Sequence, residues 1–146
     1  MARPRDTGRG SGVKFELGMR NSAGTVANLY AADRYIKGQI AREVKRSSKA
    51  VRELTYFLCP VDTGFMREHI REYITPSGLA FEVGWSASDF FDAGFAFYPF
   101  FQEYGTVNMA AQPSLTPAYE HERPLFESAV KRAVQRAIAR RQRQGR

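Results

Sequence analysis

The sequence predicts an α+β fold: a long N-terminal helix and a C-terminal helix packed on a small, mainly antiparallel β-sheet. Three observations predict it. Ile36, Ile40, Val44, Val51, Leu54 and Leu58 recur at helical intervals, with Ser47 filling the gap and charged residues from Arg42 to Glu53 on the other positions. Leu79, Phe81, Val83 and Trp85 alternate with Ala80, Glu82, Gly84 and Ser86, the period of a half-buried strand. The pairs Leu125/Phe126, Ala129/Val130, Ala133/Val134 and Ala137/Ile138 then repeat at helical spacing, with Arg and Gln on the reverse.

Taken in order, residues 1–12 are rich in Arg, Gly and Ser and lack the apolar surface that offsets ordering entropy, so a basic, flexible arm is expected. Residues 13–141 are expected to form one domain, and 142–146 a frayed basic tail. Val13, Phe15 and Leu17 alternate with Lys14 and Glu16, predicting a strand over Val13–Met19. The first helix is predicted over about Thr25–Leu58. Gly38 weakens it by about 1 kcal/mol relative to Ala, and Pro60 ends it by driving its predecessor out of the α region. Pro60, Asp62, Thr63 and Gly64 form a turn signature, with Asp62 able to bond its downstream backbone and Gly64 free to take positive φ. Glu68–Thr75 and Leu79–Ser86, joined by Pro76-Ser77-Gly78, read as a β-hairpin, and Ser88–Phe97 as an irregular segment.

Pro99 and Gly105 are placed to open and close a short helix, Pro99–Tyr104. Phe97, Phe101 and Tyr104 share one face of it and read as core, with Gln102 and Glu103 pointing elsewhere. Gly105–Leu115 reads as a loop. Thr116 before Pro117 reads as the N-cap of the last helix, which Pro124 is expected to kink or restart.

The net charge of +7 is unevenly spread. Residues 131–146 carry seven Lys or Arg and no acid, residues 1–9 three Arg against Asp6, and the remainder twelve basic against fourteen acidic residues. Attraction to a polyanion therefore belongs to the ends, and Arg136, Arg140, Arg141 and Arg143 are the candidates for electrostatic contact with DNA or a partner. The alternative is a solvated helix end complementing the helix dipole. The near-neutral body shows no long exposed apolar stripe typical of an obligate interface, so the isolated chain is expected to be monomeric or weakly associated. One cysteine, Cys59, permits no internal disulfide, and it is expected to pack. No apolar run reaches membrane-spanning length, and synthesis in the cytoplasm is expected.

Three stretches, arriving in order, carry a family resemblance: Pro60-Val61-Asp62-Thr63-Gly64-Phe65-Met66-Arg67, Tyr98–Thr106 with its Glu103-Tyr104-Gly105-Thr106 end, and Gln112-Pro113 leading through Leu115 to Pro117-Ala118. The sequence thereby resembles the tail-completion and head–tail joining proteins, minor tail components of Hong Kong 97-like, long-tailed double-stranded DNA phages. The resemblance covers roughly half the chain. Pro99 stands where that family usually has Ala, and Ser114 where it usually has Phe. It implies a virion protein of the neck, forming a homo-hexameric ring that completes the tail tube and joins it to the head connector. Partners would be the connector or stopper and the tail-tube protein, with non-specific DNA contact and no membrane. A head-completion or adaptor ring is the alternative within that reading. A ring needs heterologous contacts. The candidate interface residues are Phe90, Phe91 and Phe95; Tyr98, Glu103, Tyr104 and Gly105; and Thr106, Met109, Gln112, Pro113 and Leu115. Glu103 would make an inter-subunit bond, or pair with an Arg at its helix end.

Two readings from other classes stay beside this one. A basic nucleic-acid-binding protein would act through residues 131–146. Asp62-Thr63-Gly64 is also the signature of retroviral-type aspartic proteases, but the apolar strand that should lead into the Asp is replaced by a helix and Pro60. Two His, one Cys and no clustered ligands suggest no metal, cofactor or catalytic site; His69 is expected in a strand and His121 in a charged first turn.

Overall fold

A computed structural model of the chain describes residues 15–16 and 34–144, leaving out the side chains of 15, 16, 141 and 144. The expected basic arm, most of the first strand, the helical expectation for Thr25–Asp33 and the last two residues lie outside the described residues. The chain is α+β, with long helices packed on a small antiparallel sheet. The elements in order are β1 (Phe15–Glu16), α1 (Arg34–Leu58), α2 (Phe65–Glu68), β2 (Arg71–Ile74), β3 (Phe81–Gly84), α3 (Ala87–Asp92), α4 (Pro99–Tyr104) and α5 (Leu115–Gln144).

The predicted periodicity of α1 buries Ile36, Ile40, Val44 and Val51, and the gap-filling Ser47 is buried with them. Leu58, expected on that stripe, is exposed, and Thr55 and Cys59 are buried instead. The buried stripe continues through Val51, Thr55 and Cys59 at steps of four, which leaves Leu58 outside it, and Pro60 stops the helix. The apolar stripe of α5 (Phe126, Ala129, Val130, Ala133 and Ala137) packs along α1. At their meeting Ser47 Oγ donates 2.8 Å to the buried Glu122 Oε1, so neither polar group is left unpaired in the interior.

β3 is the centre of the sheet, flanked by β1 and β2, both antiparallel to it. Phe15 pairs with Val83, and Ile74 with Phe81. The alternation read for this strand holds: Phe81, Val83 and Trp85 are buried, and Phe81 meets Phe126 of α5 edge to face. Trp85 Nε1 donates 2.8 Å to the carbonyl of Met66, locking α2 under the sheet's end. In the hairpin turn the Thr75 amide donates to the Ala80 carbonyl, and Gly78 takes φ +70°.

Several local expectations are corrected. Glu68 and His69 are not strand: Gly64 at φ +84° turns the chain into α2, and His69 follows as its cap, stacked on Phe65 at 3.8 Å. Ser88–Phe97 is not wholly irregular, because Ala87–Asp92 forms α3 to carry Phe90 into an aromatic nest of Phe65, Phe97 and Tyr98. The last helix starts at Leu115 rather than after Thr116, runs unbroken through Pro124, and extends past the expected fraying point to Gln144.

Candidate functional site

The short helix α4 forms where Pro99 and Gly105 placed it, but with the opposite face inward. Pro99 and Glu103, one turn apart, are buried, while Phe101 and Tyr104 are exposed. The reason is chemical. Glu103, only 5% exposed, accepts hydrogen bonds from the backbone N–H groups of Ser114 (2.7 Å), Leu115 (2.8 Å) and Thr116 (3.2 Å) and from the hydroxyls of Ser114 and Thr116. One carboxylate thus satisfies donors that open α5, where the helix dipole also favours negative charge. Thr116 does not cap the helix, and its hydroxyl donates to Glu103 instead.

Between these anchors the loop is tightly built. Gly105 takes φ +74°, and a Cβ there would lie 2.8 Å from the Met109 carbonyl oxygen and 2.9 Å from the Ala111 nitrogen, so only glycine fits. Thr106 and Met109 bond backbone to backbone around a two-residue tip, Val107-Asn108, whose Val107 side chain is fully exposed. The Gln112 amide returns 2.8 Å to the Gln102 carbonyl.

Against this loop sits the turn at the end of α1. Pro60, Val61, Asp62, Thr63, Gly64 and Met66 come from one side, and Tyr98, Phe101, Gln102, Thr106, Met109 and Gln112 from the other. Together they line an open cavity of about 530 Å³. Thr63 Oγ1, rather than the exposed Asp62, makes the turn's side-chain bond, accepting from the Phe65 amide at 3.3 Å. Burial pushes the Tyr98 hydroxyl up from its ordinary value, partly offset by hydrogen bonds to the Met66 backbone and the Thr63 side chain. Gln102 Oε1 is buried without a partner among the described residues. Arg67 reaches back to the Cys59 carbonyl at 2.9 Å and lies over the Tyr56 ring, fastening α2 to α1. Burial likewise raises the Cys59 thiol, against the lowering effect of Arg67, which keeps it a packed, unreactive group.

The structure thus gathers Pro60, Asp62, Thr63, Gly64, Tyr98, Thr106, Met109 and Gln112 around one cavity. It removes others from any interface. Phe90 and Leu115 are wholly buried, the first by the aromatic nest and the second beneath the Glu103 cap, and the Glu103 carboxylate is engaged within the chain rather than with a neighbour or an Arg. Phe91, Phe95, Tyr104 and Pro113 are exposed but do not line the cavity. Arg136, Arg140 and Arg143 are exposed, roughly 30 to 40 Å along α5 from its start. Arg140 is not free of the fold, because its guanidinium lies 4.5 Å over the Tyr35 ring.

Apolar side chains are nonetheless exposed on this part of the surface. Phe57 is 79% exposed, and Leu58, Val61, Phe100, Phe101, Tyr104 and Met109 are all solvent-facing, several of them at the cavity. Sequence reading missed Val61, Met66, Phe101 and Gln102 as lining residues. One signal was present: Tyr56-Phe57-Leu58 is a consecutive apolar run at a helix end, which no single face can bury. Among the described residues no group of three or more His, Cys, Asp or Glu could hold a metal ion, and no helix is long and apolar enough to cross a membrane. Comparison of the chain with protein-family models, curated proteins and solved structures finds no match.

Proposed function

We propose that the chain is a structural protein of the neck of a long-tailed double-stranded DNA phage, assembling as a ring that completes the tail tube and joins it to the head connector. The mechanism is assembly, with no chemical turnover. One observation carries the reading beyond the resemblance: the segments that resemble the family, some forty residues apart in sequence, converge on one cavity with exposed apolar residues at its rim. Val61, Phe101 and Met109 offer apolar area for a neighbour's side chain. Such a patch, rimmed by polar groups, suits protein contact. A cavity on one face that receives a different face of the next subunit is the heterologous contact that closes rings.

The test is electron microscopy of whole particles carrying a labelled chain, paired with the variant Val61→Glu/Phe101→Glu. Density in a ring at the head–tail junction, and unjoined heads and tails with the variant, are expected. Label elsewhere in the particle, or normal joining by a folded variant, rejects the proposal.

A further inference from the structure

The fold separates charge in a way the linear sequence hides. α1 and α5 run antiparallel, since Ser47 meets Glu122 while Tyr35, twelve residues earlier, meets Arg140, eighteen residues later. The N-terminal half of α1 therefore lies beside the C-terminal half of α5. Residues 34–49 hold six Lys or Arg and one acid, Glu43, and residues 128–144 hold six and no acid. The intervening residues 50–127 hold four basic and eleven acidic residues. Among the described residues the N-terminal half of α1 and the C-terminal half of α5 thus make one strongly positive region, and the acids lie in the segments between them.

Within the positive region the arginines form a line. Arg132, Arg136, Arg140 and Arg143 follow at steps of four, four and three, so they share one stripe of α5. Arg42 and Arg46 share one stripe of α1 with Tyr35. Two contacts bring these stripes to the same seam: Arg46 and Arg132 line one cleft of about 270 Å³ with Ser128, and Arg140 crosses to Tyr35. Among the described residues Arg132, Arg136, Arg140 and Arg143 have no ion pair, while Arg46 is held by Glu43 at 3.2 Å and lies 4.0 Å from Glu122. Arg136 donates its Nε to the Arg132 carbonyl at 3.3 Å and is otherwise exposed.

We infer that this α1–α5 seam binds the phosphate backbone of duplex nucleic acid without reading its sequence. Guanidinium groups on a rigid two-helix platform, free of ion pairs among the described residues on the α5 stripe and at Arg42 of α1, suit phosphate, and Arg46 would exchange its carboxylate partners for it. Successive helical steps of four residues advance about 6 Å, a scale that lets neighbouring arginines reach separate phosphates along a strand. The acidic segments of a second copy fit the seam less well, because their acids are scattered and largely engaged. Glu103 and Glu122 are buried, Glu72 is bonded to Ser48, Asp89 to Arg71 and Glu127 to Arg123. The inference stands on charge placement alone and does not depend on the neck-ring proposal.

The test is fluorescence anisotropy of the full chain with a 20-base-pair DNA duplex as salt is raised. With five contacts, from Arg42, Arg46, Arg132, Arg136 and Arg143, the log–log slope is about −4.5, an affinity loss of about 500-fold between 50 and 200 mM salt. Arg42→Gln/Arg46→Gln should reduce the slope by about 2 and Arg132→Gln/Arg136→Gln/Arg143→Gln by about 3, while Arg123→Gln, off the seam, leaves it unchanged. Circular dichroism confirms that each variant is folded. No binding at 50 mM salt overturns the inference, as does an equal effect of Arg123→Gln. Loss confined to the α5 variant overturns the composite seam and leaves a basic helix end. Loss of self-association in sedimentation, with no DNA affinity in the wild type, assigns the seam to a second copy and overturns it too. A chain that binds duplex but forms no ring would sink the neck reading and leave this one standing.

Discussion

At the scale of single residues, Glu103 does what no nearby capping side chain does: it reaches eleven to thirteen residues along the chain to satisfy the start of α5. Replacing it with Ala leaves three backbone donors and two hydroxyls without their acceptor. Hydrogen bonds to charged groups contribute about 1.5–3 kcal/mol each and a lost cap about 1 kcal/mol, with partial rescue by water. Glu103→Ala should therefore lower unfolding stability by about 3 kcal/mol, read as a drop in urea midpoint at unchanged slope; a loss under about 1 kcal/mol would show the cap to be incidental. The two positive-φ glycines of the site separate strain from crowding. At Gly64 a Cβ meets nothing closer than Glu68 Oε1 at 3.9 Å, so Gly64→Ala carries only the left-handed penalty of about 1–2 kcal/mol. Gly105→Ala adds contacts of 2.8 and 2.9 Å with backbone that cannot step aside, and should cost more. Denaturation curves showing equal losses at the two positions would refute that distinction.

At the scale of elements, Gly38 and Pro124 are the weak points of the two long helices. A Cβ at Gly38 meets nothing within 4 Å, so Gly38→Ala should stabilise by about 0.5–1 kcal/mol. Pro124 deprives the Glu120 carbonyl of its helical partner, and Pro124→Ala should restore it and add stability of similar or larger size. A midpoint that falls for either change would show that the helix depends on its defect. These helices, and the central strand, were legible because their periods extend over many residues and only one face can be buried. α4 was legible as a helix but not in its orientation. The spacing of Phe97, Phe101 and Tyr104 says that they share a face, not which face is inside, and the deciding partners of Glu103 lie beyond any local window. α3 was missed because six residues hold too few turns for a period to emerge. Of the site, the turn at Gly64 could be read from local chemistry, and the gathering of separate segments only through resemblance; Phe90 and Leu115 look like surface aromatics and loop ends until their tertiary neighbours are known.

At the scale of the molecule, two kinds of surface should answer oppositely to salt. The apolar rim of the cavity holds partners by burial, which added salt does not weaken, whereas the α1–α5 seam depends on charges that are screened beyond about 10 Å at 0.1 M. Sedimentation should show association that persists or strengthens from 50 to 500 mM salt, in conditions where duplex binding disappears. Association that dissolves with salt would place the contact on the seam instead. Neither surface was visible as such in the sequence, because each is made by packing distant segments together. The clip made by Glu103 and the Gln112–Gln102 bond has a last consequence. Both feet of the loop are fastened below its tip, so Val107 and Asn108 carry almost none of the fold's stability. A short foreign segment inserted between them should leave the unfolding free energy within about 0.5 kcal/mol of the parent. If it does, drift at that tip can re-fit the chain to a changing neighbour while the scaffold beneath stays as it is.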